Sequence, residues 1–215
     1  MAVGRLPART AAEASAMVTK ILSYERGSSG QGATLISDYN DTYNFLGTSN
    51  KVKGFLPEST AVDMIISGQT PDVRGRLLES LNKGPKLVNY AGHGSVDLWR
   101  FNIFTSADAL SLTSSGKVGI YLIMTCLNGY YQAPNIDCLA EASLKAPGGA
   151  AAVWASSGFT VPTEQDDMDA MMVKTLYGSS GVTVGRAIYS AKMAIGDPDV
   201  RRTWILFGDP TMVYK

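Results

Sequence analysis

Histidine is almost missing from this chain of 215 residues, which holds His93 alone, and cysteine occurs only at Cys126 and Cys138. Any imidazole chemistry therefore belongs to His93. Two thiols cannot build the disulfide framework of a small secreted domain, although they could form one bridge. Net charge is missing as well: 19 Lys and Arg balance 19 Asp and Glu. Without a broad basic field, nucleic acid is not expected as a partner. No stretch approaches the roughly 20 consecutive apolar residues of a membrane-spanning helix, and Met1-Ala2-Val3-Gly4-Arg5 lacks the apolar core of a secretory signal. What is present is an apolar content of 45% with no repeat, low-complexity tract or linker, which fits a single globular domain over residues 1–215. Val3-Gly4-Arg5-Leu6-Pro7 reads like the tail of a strand and turn, so the domain is read as excised from a longer protein.

Apolar patterning alternates between two periods. Thr10 is placed to cap a helix through Met17, Ile21 and Leu22 to about Arg26, ended by Gly27-Ser28-Ser29-Gly30. Ala33–Ser37 reads as a buried strand with Asp38 at its carboxyl end, and Ala61–Ile66 as a second strand, with loop or short helix around it. Thr70-Pro71-Asp72 predicts a capped helix through Leu77, Leu78 and Leu81 to near Gly84. Strands are then expected at Lys86–Tyr90, Val118–Thr125, Ala150–Ala155 and Trp204–Phe207. Helices are expected at Thr105–Leu112, Asp137–Lys145, Glu164–Tyr177 and Val184–Ile195. The fold class implied is α/β, a mostly parallel sheet with helices on both faces.

In such a sheet, ligands bind beyond the carboxyl ends of the strands. His93, in Asn89-Tyr90-Ala91-Gly92-His93-Gly94, and Cys126, after Ile120-Tyr121-Leu122-Ile123-Met124-Thr125, both fall there. Residues 95–117 suffice for the crossover between two parallel strands. An imidazole can hold a thiol as thiolate, the strong nucleophile, and acyl transfer through sulfur needs donors for the developing oxyanion. The backbone N–H groups of Gly94 and Cys126 are the candidates, and glycine at 92 and 94 would let a bound chain approach closely. Taken singly, a strand-end histidine is more often a structural hydrogen-bonding residue and a cysteine after an apolar run more often core packing. Their pairing at one edge favours chemistry.

Other features carry less. Asp166, Asp167 and Asp169 could suggest structural calcium, yet acidic residues are favoured in the first turn of a helix anyway, so no metal or cofactor is assigned. Cys138 reads as a buried structural thiol. Gly92-His93-Gly94-Ser95-Val96-Asp97 lacks the third glycine of a dinucleotide fingerprint. Asn40-Asp41-Thr42 is a glycosylation sequon of the kind frequent by chance, and Met168, Met171 and Met172 read as core filler.

Leu87-Val88-Asn89-Tyr90-Ala91-Gly92-His93-Gly94 and Thr125-Cys126-Leu127-Asn128-Gly129 resemble the histidine and nucleophile motifs of the gingipain family of cysteine peptidases, within the caspase-like group. Gly4-Arg5-Leu6-Pro7, Lys20–Arg26, Leu139-Ala140-Glu141-Ala142, Gly148-Gly149, Gln165–Met168 and Phe207-Gly208-Asp209-Pro210 extend the likeness over nearly the whole chain. The resemblance implies a caspase-like α/β/α sandwich, a polypeptide substrate, a secreted or cell-surface bacterial protein, Cys126 as nucleophile, His93 as acid/base, and an oxyanion hole of Gly94 and Cys126 amides. Asp38 and Asp41 lie in the loop that holds the family's pocket acid and its histidine-neighbouring carboxylate, but their spacing assigns neither role. They join Thr125, Ser157 and Phe159 as substrate-binding candidates, Phe159 being a shifted substitute for the family's aromatic lid. Basic specificity is not implied, and the upstream subdomain and downstream immunoglobulin-like domain of typical members are missing from this sequence. Rival readings are a sortase-like transpeptidase of the same family and a non-catalytic caspase-like interaction module.

Overall fold

Five short parallel strands and one antiparallel strand carry the molecule, whose computed structural model describes residues 2–215. They are β1 (Ala33–Ser37), β2 (Val62–Ile66), β3 (Leu87–Ala91), β4 (Ile120–Met124), β5 (Ala152–Ser156) and β6 (Trp204–Phe207), in the spatial order β2-β1-β3-β4-β5-β6. Every residue of β1, β3, β4 and β5 is buried. These central strands are covered on both faces, which is why their sequences run nearly continuously apolar. Leu35, Leu87, Leu122 and Trp154 enter one core, while Ile36, Val88, Ile123 and Val153 enter the other.

The second core is closed by α1 (Ala11–Ser23), α3 (Val73–Asn82), α4 (Ser106–Ser111) and α5 (Leu139–Lys145), and the first by α2 (Phe45–Lys53), α6 (Pro162–Gly178) and α7 (Val184–Met193). The result is the expected three-layer α/β/α sandwich. A last short helix, α8 (Pro198–Thr203), runs straight into β6, which pairs antiparallel to β5 after the connection through α6, α7 and α8. Arg5 bridges the outer edge of β6, donating to Leu206 O at 2.9 Å and accepting from Gly208 N–H at 2.9 Å. Among the described residues, no helix is long and apolar enough to cross a membrane.

Two details depart from expectation. Thr70 does not cap α3: Asp72 does, accepting from Gly75 N–H at 3.0 Å, while Thr70 Oγ1 accepts from Ile66 N–H at 2.9 Å in the turn before it. Helix α2 falls in the stretch read as loop or short helix, with only Phe45, Leu46 and Val52 as large apolar residues around Gly47, and α8, six residues long, carries no sequence signal of its own.

Candidate active site

Residues Ala91 and Met124 are partners in the β3–β4 register, and His93 and Cys126 each lie two residues further on. Paired strands lie about 4.8 Å apart, so the two side chains leave the sheet at one height from adjacent strands. The order β2-β1-β3 reverses direction beside them, at the kind of switch point where ligands bind in open α/β sheets.

The His93 backbone is held at three points. Its N–H donates to Asp38 Oδ2 at 3.1 Å, and its carbonyl accepts from Tyr90 Oη at 2.7 Å and Arg100 N–H at 2.9 Å. Tyr90 in turn stacks on the buried Trp99, ring centroids 4.0 Å apart. The imidazole packs edge-on against Phe45, with centroids 5.2 Å apart, and its Nε2 lies 2.8 Å from Asp41 Oδ2. Hydrogen bonds from Tyr43 N–H and from His93 hold the Asp41 carboxyl below the usual carboxylate range. An ionised carboxylate only accepts, so Nε2 carries the proton and the Nδ1 lone pair is left for chemistry. Arg100 Nη1 stands 3.4 Å from Asp41 Oδ2 and 3.7 Å from Asp38 Oδ2, linking both acids.

Cys126 is partly exposed and unpaired, and its thiol donates to Thr160 O at 3.5 Å. The turn after it is tight: Leu127 has φ +60°, and its N–H donates to Gly158 O at 3.1 Å. Asn128, fully buried, donates from Nδ2 to Ser95 O and to Leu98 O, so the nucleophile turn and the histidine loop are tied by one side chain. The N–H groups of Gly94 and Cys126 have no acceptor among the described residues.

The structure revises several sequence expectations. Asp38 is 2% exposed and spends its carboxylate on the backbone N–H groups of Tyr39 and His93, so it does not line a substrate pocket. Asp41 Oδ2 is hydrogen-bonded to the imidazole. Thr125, the first residue beyond β4, is 1% exposed and packed beneath Gly94. Ser157 turns to the far side, where its N–H and Oγ donate to Thr203 O at 2.8 and 2.9 Å. Phe159 is the most open of these candidates, at 82%, and Asp41 is exposed as well. Glycine at 92 and 94 makes room for the protein itself: a Cβ would meet Asp38 Cβ at 2.5 Å in the first case and Leu98 O at 2.9 Å in the second. Sequence reasoning passed over Arg100 and Phe45, which carry no motif and reach His93 only through the fold.

Among the described residues, no three His, Cys, Asp or Glu side chains gather as a metal cage. Asp166 accepts from the Thr48 hydroxyl, Asp167 pairs with Lys51 at 2.7 Å, and Asp169 is buried against Asn89 Nδ2 at 2.7 and 2.8 Å. Cys138 is wholly buried, and burial raises its thiol pKa far above the ordinary value.

A three-layer sandwich with a histidine and a cysteine beyond adjacent central strands has the layout of the caspase-like fold. The chain belongs to peptidase family C25, whose model matches residues 1–215. It is 29% identical over 165 residues to gingipain R2 of Porphyromonas gingivalis, covering 69% of this chain and 22% of that protein. Gingipain R1 of the same organism matches at 29% identity over 69% of this chain and 16% of its own length. The crystal structure of the Arg-specific cysteine proteinase gingipain R superposes with a TM-score of 0.87 at 20% identity, covering 100% of this chain and 55% of that one. The complex of the Porphyromonas gingivalis RgpB pro- and mature domains gives 0.88 at 20% identity, covering 100% and 57%. The chain thus spans just over half of these two gingipain chains and about a fifth of gingipain R2.

Proposed function

We propose that the chain is a cysteine endopeptidase domain acting through Cys126 and His93. The observation that carries this reading is the placement of the only histidine and the one accessible thiol at the same height beyond paired strands, with the imidazole oriented by Asp41. The Cys126 thiol passes its proton to His93 Nδ1, the resulting thiolate attacks the carbonyl carbon of the scissile peptide, and the carbonyl electron pair moves to oxygen, where the Gly94 and Cys126 N–H groups stabilise it. Collapse breaks the C–N bond as His93, protonated at Nδ1, gives that proton to the departing amine. The product is a thioester on Cys126. Water then attacks the thioester while His93 Nδ1 takes its proton, releasing the carboxylic acid and regenerating the thiolate.

The substrate is a polypeptide, and by likeness to the gingipains the protein acts outside the cell, at the surface or secreted. A digest of a peptide library by wild type and Cys126→Ala, read by mass spectrometry, tests the reading. Cleavage by wild type and none by the variant is expected; equal cleavage by both contradicts it.

A further inference from the structure

The segment just after His93 makes an excursion whose tip is strained and exposed. Phe101 and Asn102 are consecutive non-glycine residues in the left-handed region, with φ +59° and +55°, and Phe101 is 67% exposed. Such backbone persists only where the surroundings over-determine it, commonly at functional sites. Here they do. Arg74 donates from Nη1 to Asn102 O at 2.6 Å and to Asp108 Oδ2 at 2.7 Å, with a second contact from its Nη2 to Asp108 Oδ1, and Asp108 also caps α4 through Thr105. At the root, Trp99 N–H donates to Phe104 O at 2.9 Å and Arg100 N–H to His93 O. The Arg100 guanidinium sits 4.9 Å from the centre of the Phe101 ring.

The ring so displayed meets Tyr39, edge to face with centroids 5.7 Å apart, and Tyr39 is itself 46% exposed and follows Asp38 in sequence. Together the two rings wall a cavity of about 510 Å³ that extends to the ends of β1 and β2. Its apolar lining is completed by Gly68, Pro71, Val73 and Ile103. Several of its polar side chains are already committed: Thr70 Oγ1 to Ile66 N–H, Asp72 to Gly75 N–H, and Arg74 to Asp108 and Asn102. Ser67 and Gln69 also line it at the β2 end, so the cavity offers apolar contact beside two polar side chains.

Its place in the sheet decides which part of a substrate reaches it. From the β2 edge the order is the cavity, Tyr39 beyond β1, His93 beyond β3, Cys126 beyond β4, and Thr160 beyond β5. The acyl half of a substrate is bonded to Cys126, and the leaving amine must stand at His93 to receive its proton. The chain continuing from that amine therefore runs away from Cys126, towards Tyr39 and Phe101. We propose that Tyr39 and Phe101 form a subsite for the leaving-group side of the polypeptide substrate, taking an aromatic or branched aliphatic side chain within the first two residues after the scissile bond. This assignment rests on the peptidase reading of Cys126 and His93.

The test is a set of fluorescence-quenched peptides sharing one acyl half and varying the two residues after the scissile bond, digested by wild type, Phe101→Asn and Tyr39→Ala. Asparagine tolerates the left-handed backbone and removes only the ring, while Tyr39→Ala probes the other wall independently. The same acyl half on aminomethylcoumarin, a leaving group without residues, reports acyl transfer alone. Wild type is expected to favour an aromatic or branched residue over serine or aspartate by about tenfold in kcat/KM, with the ratio falling towards one in each variant. Turnover of the coumarin substrate together with a flat leaving-group profile, or a preference unchanged in both variants, overturns the subsite and leaves the peptidase standing. Turnover of no substrate by wild type overturns the peptidase reading and the subsite with it.

Discussion

Asp41 Oδ2 lies 2.8 Å from His93 Nε2, joining two loops 52 residues apart in sequence and fixing which imidazole nitrogen faces the chemistry. The Asp41 carboxyl is held below its usual range, so it stays charged across the neutral and mildly acidic pH values at which a histidine titrates. Asp41→Ala is expected to lower kcat about tenfold or more with little change in KM, because the imidazole loses its orientation and not a substrate contact. Steady-state kinetics of the purified variant check this; a KM effect alone would place Asp41 in a substrate pocket.

The two cysteines should differ sharply towards electrophiles. Cys126 is partly exposed, whereas Cys138 is buried with its thiol pKa driven upward by burial. Iodoacetamide at neutral pH is expected to alkylate one thiol per folded chain, at Cys126, and both after unfolding. Peptide mapping of the alkylated protein gives the position directly.

Asn128 couples the nucleophile turn to the histidine loop by donating to Ser95 O and Leu98 O. Asn128→Ala leaves both carbonyls without that donor in a buried setting, at a cost of about 1–3 kcal/mol. Denaturant unfolding should show that loss, and kcat should fall with it because Cys126 and His93 are no longer held in one frame. A stability loss with unchanged kcat would confine Asn128 to packing.

Asp169 makes stability depend on pH. It is wholly buried, and burial raises its carboxyl pKa to about 7, above the ordinary 3.8. A raised folded-state pKa means that the neutral acid favours folding: the contribution is complete below about pH 4 and is lost as pH rises through about 7, at up to roughly 1.4 kcal/mol per unit. The protonated acid could also donate to Asn89 Oδ1, a buried acceptor without a partner. Asp169→Asn cannot ionise, so the stability of wild type relative to this variant should fall between pH 4 and pH 7. Urea unfolding of both proteins across that range measures it.

How far the sequence revealed this molecule varied with how local each determinant is. Strands β1 and β3 were legible almost to the residue, because a strand buried on both faces must be apolar throughout and polar or glycine-containing segments bound it. His93 and Cys126 were legible for the same reason, as chemistry-bearing residues immediately beyond such strands. Helix α2 was not, since Phe45, Ser49 and Val52 bury an interrupted stripe whose other members are polar. Asp38 and Asp41 were named without their roles, because only the close packing of the β1 and β3 ends shows that one holds the His93 backbone and the other its imidazole. The Phe101 tip had no local signal: its left-handed backbone is held by Arg74, remote in sequence and brought to Asn102 and Asp108 only by the fold.

The most direct measurement is the intact mass of the protein after incubation with a peptidyl electrophile, for wild type, His93→Ala and Cys126→Ala. Wild type should gain the mass of one inhibitor on Cys126, His93→Ala should gain it far more slowly, and Cys126→Ala should gain none. Labelling of Cys126→Ala at the wild-type rate would contradict the assignment of Cys126 as the nucleophile.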